Sequence, residues 1–414
     1  MYKIIRGYYP QFILTIVFLF GVIGMFSAAP VARADLLVGT DGPPGSGAVR
    51  RFNNFGTYLG DFTTGGPGLD GPAAVQFGPD GNVYVLSGSN TVLRYNSTTG
   101  VFIDEFIPTG SNGLDDAKDM IFGPDGNLYL ANNENPANTI GEGGEVLRFN
   151  GTTGAFMGTF IQNGAGLGPP TNVDTVSEAM SMAFGPDGFF YLGNDPREVL
   201  DPEDGDIQGY MVMRFNGTTG QYIDTPFPPN FLGLHDPNGM TIGPDCNLYI
   251  SSEGLSNNGN PPNPNVIYRL NLTTGNNTPD TIEEFVPSNG FLDADLPGGQ
   301  PGPPNRGMIE PEKIVFGPNG DLYVTSGDTA EVWRYNGTTG AIVGGGAFAM
   351  QGLGADSSDP KGITFFPGES LQCDIPFPVA QIPTLSQWGL VAMAGALGII
   401  AFLVLTIRRK KAVA

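Results

Sequence analysis

Between residues 36 and 371 the chain is written in short apolar runs bounded by glycine, proline, asparagine and aspartate. The runs are too short for helices and rich in β-branched and aromatic residues, so they predict strands. Two phrases organise them. The first is FGPDGN at Phe77 and Phe122, FGPDGF at Phe184, IGPDCN at Ile242 and FGPNGD at Phe316, with a worn copy, FFPGES, at Phe365. Pro-Asp-Gly suits a tight turn: proline presets φ, aspartate caps locally and glycine takes the last position. Apolar runs such as AAVQF and MSMAF precede it, and NVYVL, NLYLA, NLYIS and DLYVT follow it. That predicts a hairpin. The second phrase is VLRYNSTTG at Val92, VLRFNGTTG at Val146, VMRFNGTTG at Val212, IYRLNLTTG at Ile267 and VWRYNGTTG at Val332, with a worn copy, VRRFNNFG, at Val49. It predicts a third strand, a polar turn and a fourth strand such as VFIDEFI or AFMGTF.

Four strands per unit and six units predict an all-β, six-bladed β-propeller. The chain enters inside a unit, with LLVGT as a second strand, and its last strand, KGITFF, is a first strand. The C-terminal strand therefore completes the N-terminal blade and closes the ring, which an open solenoid would not need. The distance from the Phe or Ile of the first phrase to the Arg of the second runs from 17 to 30 residues, and from that Arg to the next first phrase from 26 to 47. In an up-and-down blade both variable connections emerge on one face. Variable loops on a rigid scaffold are a usual place for binding.

Composition narrows the partners. The chain carries a net charge of −22. Every one of its 41 acidic residues lies between Asp35 and Asp374, with 12 Lys or Arg in that stretch, a formal −29 for the body. Such a surface repels phosphate backbones and excludes nucleic acid as a partner, while it suits divalent cations or a basic partner. Cys246 replaces the turn glycine of the fifth blade, and Cys373 follows the innermost strand of the first. Those blades are not adjacent, so pairing would take the tail across the channel mouth, and the expectation is that the two stay unpaired.

The ends are not part of the propeller. Residues 1–34 combine Lys3 and Arg6, an apolar run from Phe12 to Phe26, and Ala32-Arg33-Ala34 before Asp35. This predicts a cleaved secretory signal peptide, with an uncleaved anchor as the alternative. Residues 35–374 form the body, 375–381 a linker and 382–414 the tail. The tail holds an uncharged run, Gly389 to Ile407, then Arg408, Arg409, Lys410 and Lys411. That pattern predicts a transmembrane helix with its basic end in the cytoplasm and the body outside. Ile382, Pro383, Thr384, Leu385, Trp388 and Gly389, followed by helix and basic cluster, resemble the IPTL-CTERM sorting domain of Gram-negative bacteria, with Gln387 where Glu is expected. The resemblance implies an exported protein, tethered at the inner membrane, then processed by an exosortase-type enzyme on its way to the cell surface or beyond.

The body resembles NHL-repeat propellers, most closely at DPNGMTIGPDCNLYI from Asp236, and more loosely the SMP-30/gluconolactonase and streptogramin-lyase propellers. Such folds host many activities. Eight residues before the Pro of each first phrase stand Gly71, Asp116, Glu178, Asp236, Glu310 and Asp359. Five carboxylates entering the innermost strands would ring the channel mouth as ligand-binding candidates. Their oxygens suit Ca²⁺, the one cofactor the pattern suggests, with Lys118 and Lys361 as partial neutralisers. Turn chemistry accounts for much of the same pattern, because Asp or Glu before Pro suits a turn. His235 is the single histidine and the natural general base on this face. The acidic loop with Asp201, Glu203, Asp204 and Asp206 lacks EF-hand spacing. The repeated arginine, at 51, 94, 148, 214, 269 and 334, is expected to form an ion pair within or between blades. The reading is a binding or interaction module for a protein or glycan. The alternatives are a lactonase- or lyase-like enzyme with a divalent metal at the channel mouth, and a structural matrix component.

Overall fold

The Pro-Asp-Gly turns close as hairpins. In a computed structural model of the chain, Gly78 and Gly81 close the first of them, with the Gly81 N–H donating to the Gly78 carbonyl at 2.9 Å. The fifth-blade turn does the same with Cys246, which takes φ +64° where the other copies have glycine. The structure describes residues 35–41, 47–88, 90–133, 144–166, 176–195, 210–229, 231–253, 265–272, 282–287, 308–327, 329–349, 360–367 and 373. The chain divides into two units, Met1–Ile375 and Pro376–Ala414. The expected signal peptide, linker and transmembrane segment lie outside the described residues. Among those residues no helix is long and apolar enough to cross a membrane.

Six antiparallel sheets follow one another as the repeats predict. From inside outward, the second blade is Ala74–Phe77, Val83–Ser87, Thr91–Tyr95 and Phe102–Ile107. The third is Asp119–Phe122, Leu128–Asn133, Gly144–Phe149 and Phe156–Ile161. The fourth is Glu178–Phe184, Phe189–Asp195, Met211–Asn216 and Tyr222–Phe227, and the fifth is Met240–Ile242, Leu248–Ser252, Val266–Leu270 and Ile282–Val286. The sixth has three strands, Pro311–Phe316, Leu322–Ser326 and Glu331–Tyr335. Its outermost strand is reduced to bridges at Ile342 and Ala349, because Gly344 and Gly345 turn the backbone to positive φ between them. In the first blade, Pro360–Phe365 pairs with Leu36–Thr40, which pairs with Ala48–Phe52 and then Tyr58–Asp61. The C-terminal strand is thus the innermost strand of the N-terminal blade. It packs between the innermost strands of blades six and two, and the six form a closed cycle.

One contact repeats from blade to blade. In blades two, three, five and six the tyrosine of the second strand lies edge-to-face between the outer Phe of its own blade and the first-phrase Phe of the next, while in blade four Tyr191 lies over Gly185 and the next blade has Ile242 in place of the Phe. Tyr84 meets Phe106 at 4.9 Å and Phe122 at 5.0 Å, and Tyr129 meets Phe160 at 5.0 Å and Phe184 at 5.1 Å. Tyr249 and Tyr323 repeat this with Phe285 and Phe316, and with Phe348 and Phe365. Each such pair contributes about 0.5–1.5 kcal/mol beyond burial. The ring fits because the first phrase places glycine beneath it: a Cβ on Gly78 would lie 2.3 Å from Tyr84 Cε2, and one on Gly123 2.6 Å from Tyr129 Cε2. The worn first blade swaps both halves. Leu37 stands at the tyrosine position and Phe366 at the glycine position, and the Phe366 ring packs 5.2 Å from Phe77 and 5.7 Å from Phe62. The missing ring is supplied from the other strand. A second glycine, that of Thr-Thr-Gly, also joins blades. At Gly100, Gly154 and Gly220, all near φ +70°, a Cβ would strike the carbonyl oxygen of Phe62, Phe106 or Phe160 in the preceding blade.

Cys246 and Cys373 form a disulfide with Cα atoms 5.1 Å apart, which corrects the expectation of unpaired thiols. The crossing that seemed to forbid the bond does occur. Innermost strands converge at the axis, so the channel mouth is narrow. Cys373 shares a cavity of about 280 Å³ with Gln76, Ile121, Ala183 and Thr241, one residue from each of blades two to five. Higher in the channel, Lys313 of blade six reaches across to Asp119 of blade three, with Nζ 3.3 Å from Oδ1. Asp119 Oδ2 accepts the Met182 N–H at 2.9 Å. Both charged groups are largely buried, so each depends on the other.

Gly78→Ala is expected to destabilise the fold by about 1–3 kcal/mol through overpacking. In a Tyr84→Leu background the same change costs clearly less, and urea unfolding of the four proteins reads the coupling. Lys313→Met strands the Asp119 charge and is expected to cost about 3–5 kcal/mol, most of it recovered in Lys313→Met/Asp119→Asn.

Candidate functional site

On the face of the variable loops, a small polar side chain at or next to the end of the second strand holds the backbone entering the innermost strand in blades two to six. Ser87 Oγ accepts the Asp70 N–H at 3.0 Å, and Asn132 Oδ1 accepts that of Asp115 at 2.7 Å. Asn194, Ser252 and Ser326 do the same for Ser177, His235 and Ile309. The residue after this anchor is the position of the sequence's repeated carboxylate. In blades two, three, five and six it turns left-handed, with φ +45° at Gly71, +49° at Asp116, +36° at Asp236 and +49° at Glu310, whereas Glu178 of blade four already belongs to its strand. Glycine is the easiest residue in such a turn and aspartate a tolerated one.

The carboxylates are placed separately. Asp116 pairs with Lys118 Nζ at 2.8 Å. Glu178 is buried at the head of its strand, in register with Asp195. The Glu310 carboxylate lies back over Gly327 of its own blade. Asp359 lies outside the described residues. Lys361 sits 3.7 Å from Asp41. Among the described residues no group of three or more His, Cys, Asp or Glu is placed to hold a metal ion.

Asp236 belongs to a denser cluster between blades four and five. Its Oδ2 lies 3.1 Å from Nδ1 of His235, in a geometry that closes no hydrogen bond at that nitrogen. The His235 ring is 5% exposed and packs 4.2 Å from the Tyr210 ring. Asn238 donates to Glu253 at 3.2 Å. Burial pushes the Tyr210 hydroxyl far above its ordinary range, and the charges of Asp236, Asp195 and Glu253 add to it, with a hydrogen bond to Asp236. Tyr210 is accordingly a neutral donor at any physiological pH, set among three acids. The arrangement suits recognition of a cation or a cluster of hydrogen-bond donors. A histidine ring this buried presents little surface to a substrate.

The sequence reading found His235 and Asp236 but missed Tyr210, Asp195 and Glu253. A signal was available. The residue after each strand-end anchor is Gly88, Asn133, Asp195, Glu253 and Gly327 in blades two to six, acidic only in the adjacent fourth and fifth.

No curated protein matches the sequence. Among solved structures, a chain of a nidogen/laminin complex is similar at 13% identity and TM-score 0.54, with 82% of this chain and 100% of that chain covered. A streptogramin B lyase structure is similar at 19% identity and TM-score 0.40, covering 68% of this chain and 69% of that one. The first likeness supports the propeller fold and nothing finer. The end of the chain is more specific, because the IPTL-CTERM motif matches residues 380–409, a span that contains Ile382, Pro383, Thr384, Leu385, Trp388 and Gly389. The chain is a six-bladed β-propeller carrying an IPTL-CTERM motif, a signal that implies export, exosortase-type processing and surface sorting.

Proposed function

We propose that the protein is an exported, surface-destined binding module whose ligand face is that of the variable loops, centred on the cluster of Asp195, Tyr210, Asp236 and Glu253. One observation carries this reading: a neutral tyrosine donor and three carboxylates gather where the second strands of blades four and five end. The two following connections, 196–210 and 253–265, are among the variable ones in the sequence. A body with formal charge −29 draws positively charged partners towards this cluster. The ligand is then a basic segment of a protein, an amino-bearing glycan, or calcium completed by oxygens of the same face. The scaffold's role is to hold this face rigid and display it.

The test uses the full chain in mild detergent, titrated by calorimetry with calcium chloride and, separately, with an oligolysine peptide. One of the two is expected to bind, and Asp236→Asn/Glu253→Gln is expected to weaken it by about tenfold or more. Binding of neither, or binding indifferent to the double substitution, contradicts the reading. Processing is tested separately. Pro383→Gly/Trp388→Ala is expected to leave the protein at its unprocessed size in the membrane fraction of a host with the sorting enzyme, where the unaltered chain is shortened. Equal processing of both contradicts a role for the motif.

A further inference from the structure

The repeated arginine follows a rule that one blade breaks. In each of the other five blades the guanidinium is neutralised by a carboxylate of its own blade. Blades two, four and five take it from the outermost strand, directly opposite in register: Arg94 faces Asp104, Arg214 faces Asp224 and Arg269 faces Glu283. Arg94 makes two hydrogen bonds there, at 3.0 and 2.6 Å, and Arg214 and Arg269 also close their pairs. Blades one and six take the acid from the residue that enters the second strand. Arg51 binds Asp35 at 2.8 and 2.7 Å, and Arg334 binds Asp321 at the same two distances.

Blade three has neither acid. The residue opposite Arg148 is Gly158, and the residue entering the second strand is Asn127. The Nε of Arg148 is buried without a hydrogen-bond partner. Its contacts are the Phe160 ring, 5.9 Å away, and the Tyr129 hydroxyl. The turn acid, Asp125, bonds Asn127 and Tyr129 at 2.7 and 3.0 Å, as its counterparts in blades two and five do, but those counterparts, Asp80 and Asp245, also pair with Arg94 and Arg269 at 3.3 and 3.4 Å. Where the other blades carry a carboxylate there is space, since a Cβ on Gly158 would meet nothing within 4 Å. Beside that gap, Phe156 and Met157 are exposed.

We infer that Arg148 is a recognition site for a carboxylate brought by a partner, which enters the seam at the rim of blade three where Asp104 or Asp224 sits in its own blade. A guanidinium whose Nε finds no partner in its own blade suits a bidentate carboxylate. The acidic body repels acids at long range, so the recognised carboxylate sits on a molecule that is otherwise neutral or basic. The exposed Phe156 and Met157 favour an apolar neighbour to the acid. A peptide with a glutamate or aspartate beside an aromatic residue has this chemistry. The site lies on the outer rim, apart from the Tyr210 cluster, and stands or falls independently of it.

The molecule supplies its own control. Blade six reads Asn319-Gly-Asp321 where blade three reads Asp125-Gly-Asn127. The charge-neutral swap Asp125→Asn/Asn127→Asp copies the blade-six arrangement and gives Arg148 an internal carboxylate. The probe is Ac-Lys-Phe-Glu-Lys-amide against its Gln counterpart, titrated at low salt into the full chain in mild detergent. The unaltered protein is expected to bind the Glu peptide about tenfold or more tighter than the Gln peptide. Both Arg148→Gln and the swap are expected to bring the two peptides level, with the melting temperature of the swap not lowered. If Arg148→Gln fails to fold, the swap still decides. A protein that does not distinguish the peptides, or a swap that still does, overturns the inference.

Discussion

In four of the six blades a tyrosine ring laid on a glycine holds the blade to the next. The glycine of the first phrase leaves room that any side chain would fill, and the ring uses that room to reach the first-phrase Phe of the following blade. Because the contact repeats around the axis, it fixes the spacing of the blades and hence the diameter of the channel. A channel this narrow explains two other features. Lys313 can reach Asp119 on the opposite side, and the tail after Phe365 can reach the fifth-blade turn and bond there through Cys373. The first blade shows that the constraint concerns the filled space rather than the residue, since Leu37 with Phe366 fills it as well as tyrosine with glycine.

The latch also divides the molecule into a constant and a variable face. Turns between first and second strands, and between third and fourth, carry the glycines that touch neighbouring blades, and their lengths hardly change except in blade five, where residues 271–281 join the third strand to the fourth. The opposite connections touch no such latch, and there the chain varies in length and gathers its acids. Between blades four and five Tyr210 stays protonated among Asp195, Asp236 and Glu253. On the rim, Gly158 stands opposite Arg148 where other blades carry an acid, and leaves its Nε without a hydrogen-bond partner. Both sites arise as departures from the repeat, set on a scaffold that the repeat keeps rigid.

Most of the architecture is legible from the turns. Pro-Asp-Gly and Asn-x-Thr-Thr-Gly mark two hairpins per blade by local chemistry alone, and the strand order follows from where the chain begins and ends. The sixth blade's outer strand was less legible, because Gly344 and Gly345 break it to bridges. The carboxylate pattern was visible, but its backbone setting was not: spacing shows that an acid recurs, and only backbone angles show that four of the five described copies turn left-handed. The disulfide was misjudged because blade adjacency was used as the measure of distance, whereas near the axis all blades are close. Lys313 and Asp119 were missed as a pair for a related reason. They hold one position in two innermost strands three blades apart, and nothing local links them.

Ring closure by the C-terminal strand is what joins these features, and deletion of residues 360–367 from the full chain bears on it most directly. Thermal melting of the deleted and unaltered proteins is compared under oxidising conditions. A closed ring predicts that the deleted chain loses its cooperative transition or melts far lower, and that an added peptide spanning 358–374 restores much of the loss. An unchanged melt would mean that Pro360–Phe365 is dispensable to the first blade, and would contradict closure.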